Sequence, residues 1–515
     1  MKEISLSPRD YQQKIFETAK NNNTLVVLPT GLGKTLIALM LSVERQKKFP
    51  GKKVLMLAPT RPLVEQHFKS YQKNLPELFA DLQLFTGEVP AKRRQKTFQT
   101  ADIIFSTPQC IANDLKSGLY TLQDVSLLII DEAHRCLKNY DYTKVVDFYK
   151  RQTPDELRRI LGLTASPGSD TENVKEICKH LAVDEIEIRS RDSSDVKPYL
   201  QELEFEKVAV PFPPEFLEIK LLLKKIYESK VEELRKRNLL FGPANKIALL
   251  KLQGQLAARY TNARDFNAMM GMSLTATAIK ISHALELLET QTLSGVNEYF
   301  NSLIEQANQK KSKAVQNLVK SQEFNAARIL LQSLLSKKIE HPKIEETAVI
   351  VENQFKEKEN SKVIIFTQFR DTGVTLTKRL NLIPGIKAQS FFGQAKKNNT
   401  GLTQKEQKEI IEKLNSGEIN TLVATSIGEE GLDISEVSTV IFYEPIPSAI
   451  RKIQRTGRTA RLKPGKLIIL ITKDTRDVIN HYASTAREKR MYKVLEGVKA
   501  DIKEENKIKT LNDFK

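Results

Sequence analysis

Val27-Leu28-Pro29-Thr30-Gly31-Leu32-Gly33-Lys34-Thr35 is an apolar strand that runs straight into a glycine-spaced loop and then a helix. Residues 24–28 read as a buried strand and residues 36–43 as a helix. A loop of this kind turns several backbone N–H groups toward one point, where the phosphates of a nucleotide can sit against a helix N-terminus. Thr30, Gly31 and Gly33 shape that cradle, Lys34 reaches the β- and γ-phosphates, and the Thr35 hydroxyl reaches Mg²⁺. The strict phosphate-loop pattern wants its first glycine where this chain has Leu28, so the reading rests on the strand, loop and helix together.

Upstream, Ser7-Pro8-Arg9-Asp10-Tyr11-Gln12-Gln13 opens an amphipathic helix. A Gln side chain donates and accepts at once, as reading the Hoogsteen edge of adenine requires, so Gln12 is the candidate base reader. Arg9 or Tyr11 is placed to stack on the base. Downstream, strands at residues 53–58, 102–106, 127–130 and 159–164 alternate with helical stretches. This is the rhythm of a parallel sheet covered on both faces, with its ligands at the carboxyl ends of strands. Pro59-Thr60-Arg61-Pro62, Thr107-Pro108-Gln109, Asp131-Glu132-Ala133-His134 and Thr164-Ala165-Ser166-Pro167 all fall at such ends. Asp131 is assigned to the metal, through water, and Glu132 to polarising the attacking water. A zinc-protease reading of His134 lacks a partner four residues on. His134, Thr164 and Ser166 are expected to couple the nucleotide site to a second domain.

Length points to about three domains, since 515 residues exceed one core. Lys and Arg outnumber Asp and Glu by 81 to 63, and the resulting charge of +18 suggests a polyanionic partner. Cys110, Cys136 and Cys178 lie far apart and read as ordinary thiols of a reducing compartment. No apolar run approaches the ~18 residues of a membrane span, and no signal-peptide pattern opens the chain. A cytoplasmic protein without membrane contact is expected.

Around residues 205–214 the pattern changes, ending in Pro211-Phe212-Pro213-Pro214. Residues 215–339 are helical in pattern, with Phe216, Ile219, Leu223, Ile226 and Leu234 along one face and Ile281, Leu285 and Leu288 along another. Arg235, Lys236 and Arg237 form a basic cluster suited either to nucleic-acid phosphates or to a solvated helix face. After His341-Pro342 the alternation resumes, without a phosphate loop. Gln454-Arg455-Thr456-Gly457-Arg458-Thr459-Ala460-Arg461 places Arg458 and Arg461 at an i, i+3 spacing, so both can reach a γ-phosphate held by the first half.

Taken in order, Gln12, residues 29–35, residues 131–134, residues 164–166, residues 425–433 and residues 454–461 resemble a superfamily 2 helicase. Gly393-Gln394, residues 401–407, residues 424–432 and Tyr443-Glu444-Pro445 with Pro447-Ser448-Ala449-Ile450-Arg451 narrow the resemblance to the archaeal Hef helicases, relatives of the Fanconi anaemia M translocases. The resemblance implies an α/β fold of two RecA-like, doubly wound parallel-sheet domains with an all-helical insert between them. The boundaries expected are 1–205, 206–342, 343–485 and a basic C-terminal helix or tail at 486–515. It implies ATP as substrate, Mg²⁺ as cofactor and DNA, forked or branched, as partner, with Gly431 and Asp433 joining the ATP site and Gln454, Arg458 and Arg461 completing it. Thr60, Arg61, Thr86, Gly87, Thr107, Thr367, Gln368 and Thr425 become candidate contacts to DNA phosphates, with Arg235, Lys236 and Arg237 in a gripping insert.

Two other readings are a duplex-RNA-stimulated ATPase of the related sensor type and an ATP-gated scaffold that binds junctions without moving. Many Hef proteins continue into a nuclease with a Glu-Arg-Lys core; Arg487-Glu488-Lys489-Arg490 lacks that arrangement, so no cleavage is expected. Residues 508–515, with Leu511 and Phe514 three apart, resemble a sliding-clamp binding peptide lacking its leading Gln and second aromatic.

Overall fold

Strands that are buried on both faces carry side chains that are apolar without alternation, and such strands form the interior of the first sheet. In the computed structural model it contains β1 (Thr24–Val27), β2 (Lys53–Leu57), β3 (Leu82–Phe85), β4 (Ile103–Ser106), β5 (Val125–Asp131), β6 (Ile160–Thr164) and β7 (Glu185–Ile188). The structure describes the chain except residues 1–6, 359–360, 394–400, 426–436, 447, 449–454, 456–458, 460–463 and 513–515, and the side chains of 508–512. The strands pair in parallel in the order β3-β4-β2-β5-β6-β1-β7. One apolar cluster on each face, one containing Leu25 and Leu128 and the other Val26 and Ile129, forms the core.

The second sheet contains β8 (Leu203–Val210), β9 (Val363–Phe366), β10 (Ala388–Phe391), β11 (Thr421–Ala424), β12 (Thr439–Phe442) and β13 (Gly465–Thr472), in the order β10-β11-β9-β12-β13-β8 and again parallel throughout. β8 straddles the boundary expected at residue 205, but it pairs with β13 along its whole length, from Leu203 against Gly465 to Val210 against Thr472. Lys466 reinforces the pairing through Glu204 (3.2 Å) and Glu206 (2.8 Å). The first sheet therefore ends with β7, and residues 203–210 belong to the second.

Between β8 and β9 lie the helices Leu217–Lys236, Lys246–Ala263, Phe266–Thr290, Leu293–Asn308, Lys313–Lys320 and Gln322–Ser336. Phe216, Ile219, Leu223 and Ile226 pack with Ile281, Leu285 and Leu288 in one cluster, and Leu234 joins a second with Leu249 and Leu256. Each such side chain contributes about 1.5–3 kcal/mol when fully buried.

The last helix, Arg476–Asn512, begins in the second domain, well before residue 486 where a tail was expected. Met491, Leu495 and Val498 on this helix are buried in the same core as Leu128, Tyr142 and Ile177 of the first domain. Lys175 with Asp501 (2.9 Å) and Asn506 Nδ2 donating to the Asp184 carbonyl (3.0 Å) fix its far end there. Among the described residues no helix is long and apolar enough to cross a membrane.

Candidate active site

β1 ends at Val27, and the next N–H, of Leu28, donates to the Thr164 carbonyl at 3.0 Å, so the loop starts against the end of β6. Gly31 (φ 87°) and Gly33 (φ 79°) take the left-handed conformation that the turn requires, and Gly33 caps the helix Lys34–Lys48. A side chain on Gly33 would run into the Gln12 amide. Gln12 Nε2 donates to the Leu32 carbonyl (3.0 Å), and its Oε1 accepts from the Arg9 N–H (2.9 Å). In this conformation Gln12 braces the loop. Tyr11 cannot stack on a base as expected: it is fully buried, donates to the same Leu32 carbonyl (2.8 Å) and meets Tyr199 edge-on. Arg9 lies 5.2 Å over the partly exposed Tyr199 ring, an aromatic partner that sequence reasoning missed because it lies so far along the chain.

Lys34 Nζ donates to the Leu28 carbonyl (2.9 Å), which keeps its ammonium at the loop floor. Thr35 Oγ1 lies 3.5 Å from His67 Nδ1, and His67 Nε2 lies 2.8 Å from Asp131 Oδ2. Burial pushes the Asp131 carboxyl up, but His67 and then Lys34 more than offset this and hold it below its ordinary range. His67 lies on the helix Arg61–Asn74, and nothing in the local sequence distinguished it from a core histidine.

Glu132 directly follows β5 in the left-handed conformation (φ 51°), uncommon for a residue with a side chain and typical of functional turns. His134 Nδ1 sits between Glu132 Oε2 (3.2 Å) and Thr164 Oγ1 (3.1 Å). Thr164 Oγ1 accepts the Ser166 N–H (3.2 Å), and Ser166 Oγ lies 2.8 Å from Met491 Sδ on the C-terminal helix. The three expected coupling residues thus form one connected chain running from Glu132 to the element that arrives from the second domain.

The other half of the same sheet edge carries the polyanion candidates. Thr60 caps the helix Arg61–Asn74 after β2, Thr107 caps Pro108–Lys116 after β4, and Thr86-Gly87 follow β3, so adjacent strands bring them together. Thr60 Oγ1 is buried with no hydrogen-bond partner. Arg61 is committed to carboxylates, Glu65 at 2.7 Å and Glu88, so a phosphate must compete for it. Arg94 holds the Thr86 carbonyl (3.3 Å) while paired with buried Asp114, giving the loop a support that the sequence did not advertise.

In the second domain Thr367 is fully buried and donates to Glu444 (3.3 Å), so it does not face a phosphate; the Gln368 side chain beside it is exposed. Thr425 is nearly buried, with its N–H on the Phe391 carbonyl (3.2 Å). On the insert Lys236 pairs with Glu232 (3.0 Å), Arg237 with Glu233 (2.7 Å), and Arg235 donates to the Gly242 carbonyl (3.3 Å), so a phosphate must compete for them. Gly431, Asp433, Gln454, Arg458 and Arg461 lie outside the described residues. Arg455, between them, is buried with its guanidinium 4.8 Å over the Phe366 ring.

Residues 9–174 match the DEAD/DEAH box helicase family, 215–338 the helical bundle of a family described as an ATP-dependent RNA helicase, and 343–463 the helicase conserved C-terminal domain. A phosphate loop on one parallel sheet, a second sheet without one and a helical bundle between them define a superfamily 2 helicase. The crystal structure of the Pyrococcus furiosus Hef helicase domain superposes with a TM-score of 0.70 at 41% identity, covering 93% of this chain and 98% of that one. The chain belongs to the Hef helicase family. It is 36% identical to a Methanocaldococcus jannaschii protein carrying an ATP-dependent RNA helicase name (97% of this chain, 62% of that protein). It is also 34% identical to the ATP-dependent DNA helicase mph1 of Neurospora crassa (91% and 41%) and 33% identical to the mouse Fanconi anemia group M protein homolog (95% and 26%). The chain thus spans about a quarter to three-fifths of these relatives' own length.

Proposed function

We propose that this chain hydrolyses ATP to drive movement along DNA, acting on forked or branched substrates. The observation that carries the reading is the division of one sheet edge: phosphate loop, Asp131 and Glu132 on one side, the Thr60, Thr86 and Thr107 turns on the other. Lys34 binds the β- and γ-phosphates, Thr35 and Asp131 hold Mg²⁺, and Gly31 and Gly33 present N–H groups to the phosphates. The Mg²⁺ supplies charge neutralisation on the transferring phosphoryl group when bound. Asp131 suits it because His67 orients its carboxyl and, with Lys34, holds it below its ordinary range. Glu132 orients the attacking water, with His134 Nδ1 3.2 Å from its carboxylate. Arg458 and Arg461 are assigned from the sequence to complete the site, a role that can contribute about 10³–10⁵ in rate.

Glu132→Gln is expected to lower ATP turnover by at least roughly 10²-fold while ATP and DNA binding persist. Normal turnover in that variant overturns the assignment. The relatives' names favour DNA for mph1 and RNA for the Methanocaldococcus protein, so duplex-RNA stimulation is the second reading. ATPase titrations with forked DNA, plain duplex DNA and duplex RNA separate them. A chain of this activity works on the chromosome, in the cytoplasm and nucleoid. A pull-down with the sliding clamp, comparing the chain with its Leu511→Ala/Phe514→Ala variant, tests the tail contact.

A further inference from the structure

Thr367 and Glu444 follow adjacent parallel strands, β9 and β12, at the carboxyl edge of the second sheet. The Glu444 side chain is 2% exposed, yet it is a hub. Its Oε1 accepts the Gln368 N–H at 2.5 Å, and its Oε2 accepts from Thr367 Oγ1 at 3.3 Å and Gln291 Nε2 at 3.4 Å. Gln291 belongs to the insert, ending the helix Phe266–Thr290, and its Oε1 in turn accepts from Thr372 of the second domain at 2.8 Å. Thr372, on the helix Arg370–Leu380, and Glu444 therefore hold both ends of one insert amide. The charges around the carboxyl come from three other elements: Lys343, Asp477 of the C-terminal helix, and Arg455. Burial pushes the Glu444 carboxyl up, Lys343 and Arg455 oppose and Asp477 adds, leaving it at about 7.

A buried carboxylate with three donors is expensive to leave partly satisfied. Here the donors come from two structural units, and the exposed Gln368 side chain is carried on the backbone that the carboxylate grips. We propose that Glu444 is a positioning residue that fastens the helical insert to the turn after β9, so that insert and Gln368 meet nucleic acid as one surface. Two neighbouring contacts run the same way: Arg476 donates to the Ser282 carbonyl (2.8 Å), and the Phe369 ring lies 5.8 Å from that of His283. The link to nucleic acid rests on the motor reading above; the fastening itself does not.

Amide hydrogen exchange on the full chain, in the wild type, Glu444→Gln and Gln291→Ala, tests the fastening. Faster exchange is expected in residues 366–372 and 287–293 together, in both variants, with residues 27–35 unchanged. In DNA-stimulated ATPase the apparent KM for DNA is expected to rise about tenfold with kcat within about twofold, and the double variant to be no worse than the single ones. Exchange that changes in only one of the two segments, or in neither, overturns the proposal, as does a double variant whose effects multiply. Should DNA fail to stimulate the wild type, the motor reading falls, and the exchange result still decides the fastening.

Discussion

His67 Nε2 lies 2.8 Å from Asp131 Oδ2, both side chains buried, and the other ring nitrogen of His67 faces Thr35 across 3.5 Å. One imidazole from a neighbouring helix thus bridges the two residues expected to hold Mg²⁺. Supports of this kind set ligand orientation, and losing them typically costs 10–100-fold in metal affinity or activity. His67→Ala is expected to move the Mg²⁺ midpoint of ATP hydrolysis upward by about that factor. A Mg²⁺ titration checks it, and an unchanged midpoint removes His67 from the site.

Gly33→Ala tests the cradle without touching a charge. At φ 79° a side chain costs roughly 1–2 kcal/mol of backbone strain, and the new methyl meets the Gln12 amide. Nucleotide affinity should fall at least tenfold while the thermal midpoint shifts only modestly. A fluorescent nucleotide titration beside a melting curve makes the comparison.

Met491 is buried in the first domain's core while its sulfur touches Ser166. Met491→Ala is expected to cost about 2–5 kcal/mol at that interface, as large-to-small core changes do, and Met491→Leu less than about 1.5 kcal/mol. Limited proteolysis within residues 486–512 should be faster only in the alanine variant.

Glu286 gives a pH signature inside the insert. Burial pushes its carboxyl up, but His283, 3.5 Å away, and Lys246, hydrogen-bonded at 2.9 Å, outweigh burial and bring it to about 2 from an ordinary 4.5. A depressed folded value means that the ionised group stabilises above pH ~4.5 and that this is lost as pH falls toward ~2. Glu286→Gln should therefore be less stable than wild type at neutral pH, with the gap closing over that window in denaturant titrations.

The strands with continuous apolar runs were legible in the sequence, and those with two covered faces formed where they were expected. The ones that escaped, Leu82–Phe85, Glu185–Ile188 and Ala388–Phe391, are all sheet edges, where one side lacks a neighbouring strand and polar residues are tolerated. β8 is the fourth edge, and there the change of pattern around residues 205–214 was seen but the pairing with β13 was not. The loop at residues 29–35 and the turns at 131–134 and 164–166 stood out because each is a contiguous run at a strand end. His67, Tyr199 and Arg94 sit in no such run, and their partners Asp131, Arg9 and Asp114 come from other elements. Thr367 shows the opposite failure: a hydroxyl at a strand end suggested a phosphate contact, and a buried carboxylate 77 residues on claims it instead.

The helix Arg476–Asn512 closes the polypeptide into a circuit, leaving the first domain after β7 and returning to it at Met491. Two pins on one leaf restrict a door to swinging about the line between them. For a rod of ~55 Å, at 1.5 Å per residue, any wider gape of the halves must bend the strut or peel Met491, Leu495 and Val498 from their sockets. If the halves move as proposed, those three side chains limit how far they can part.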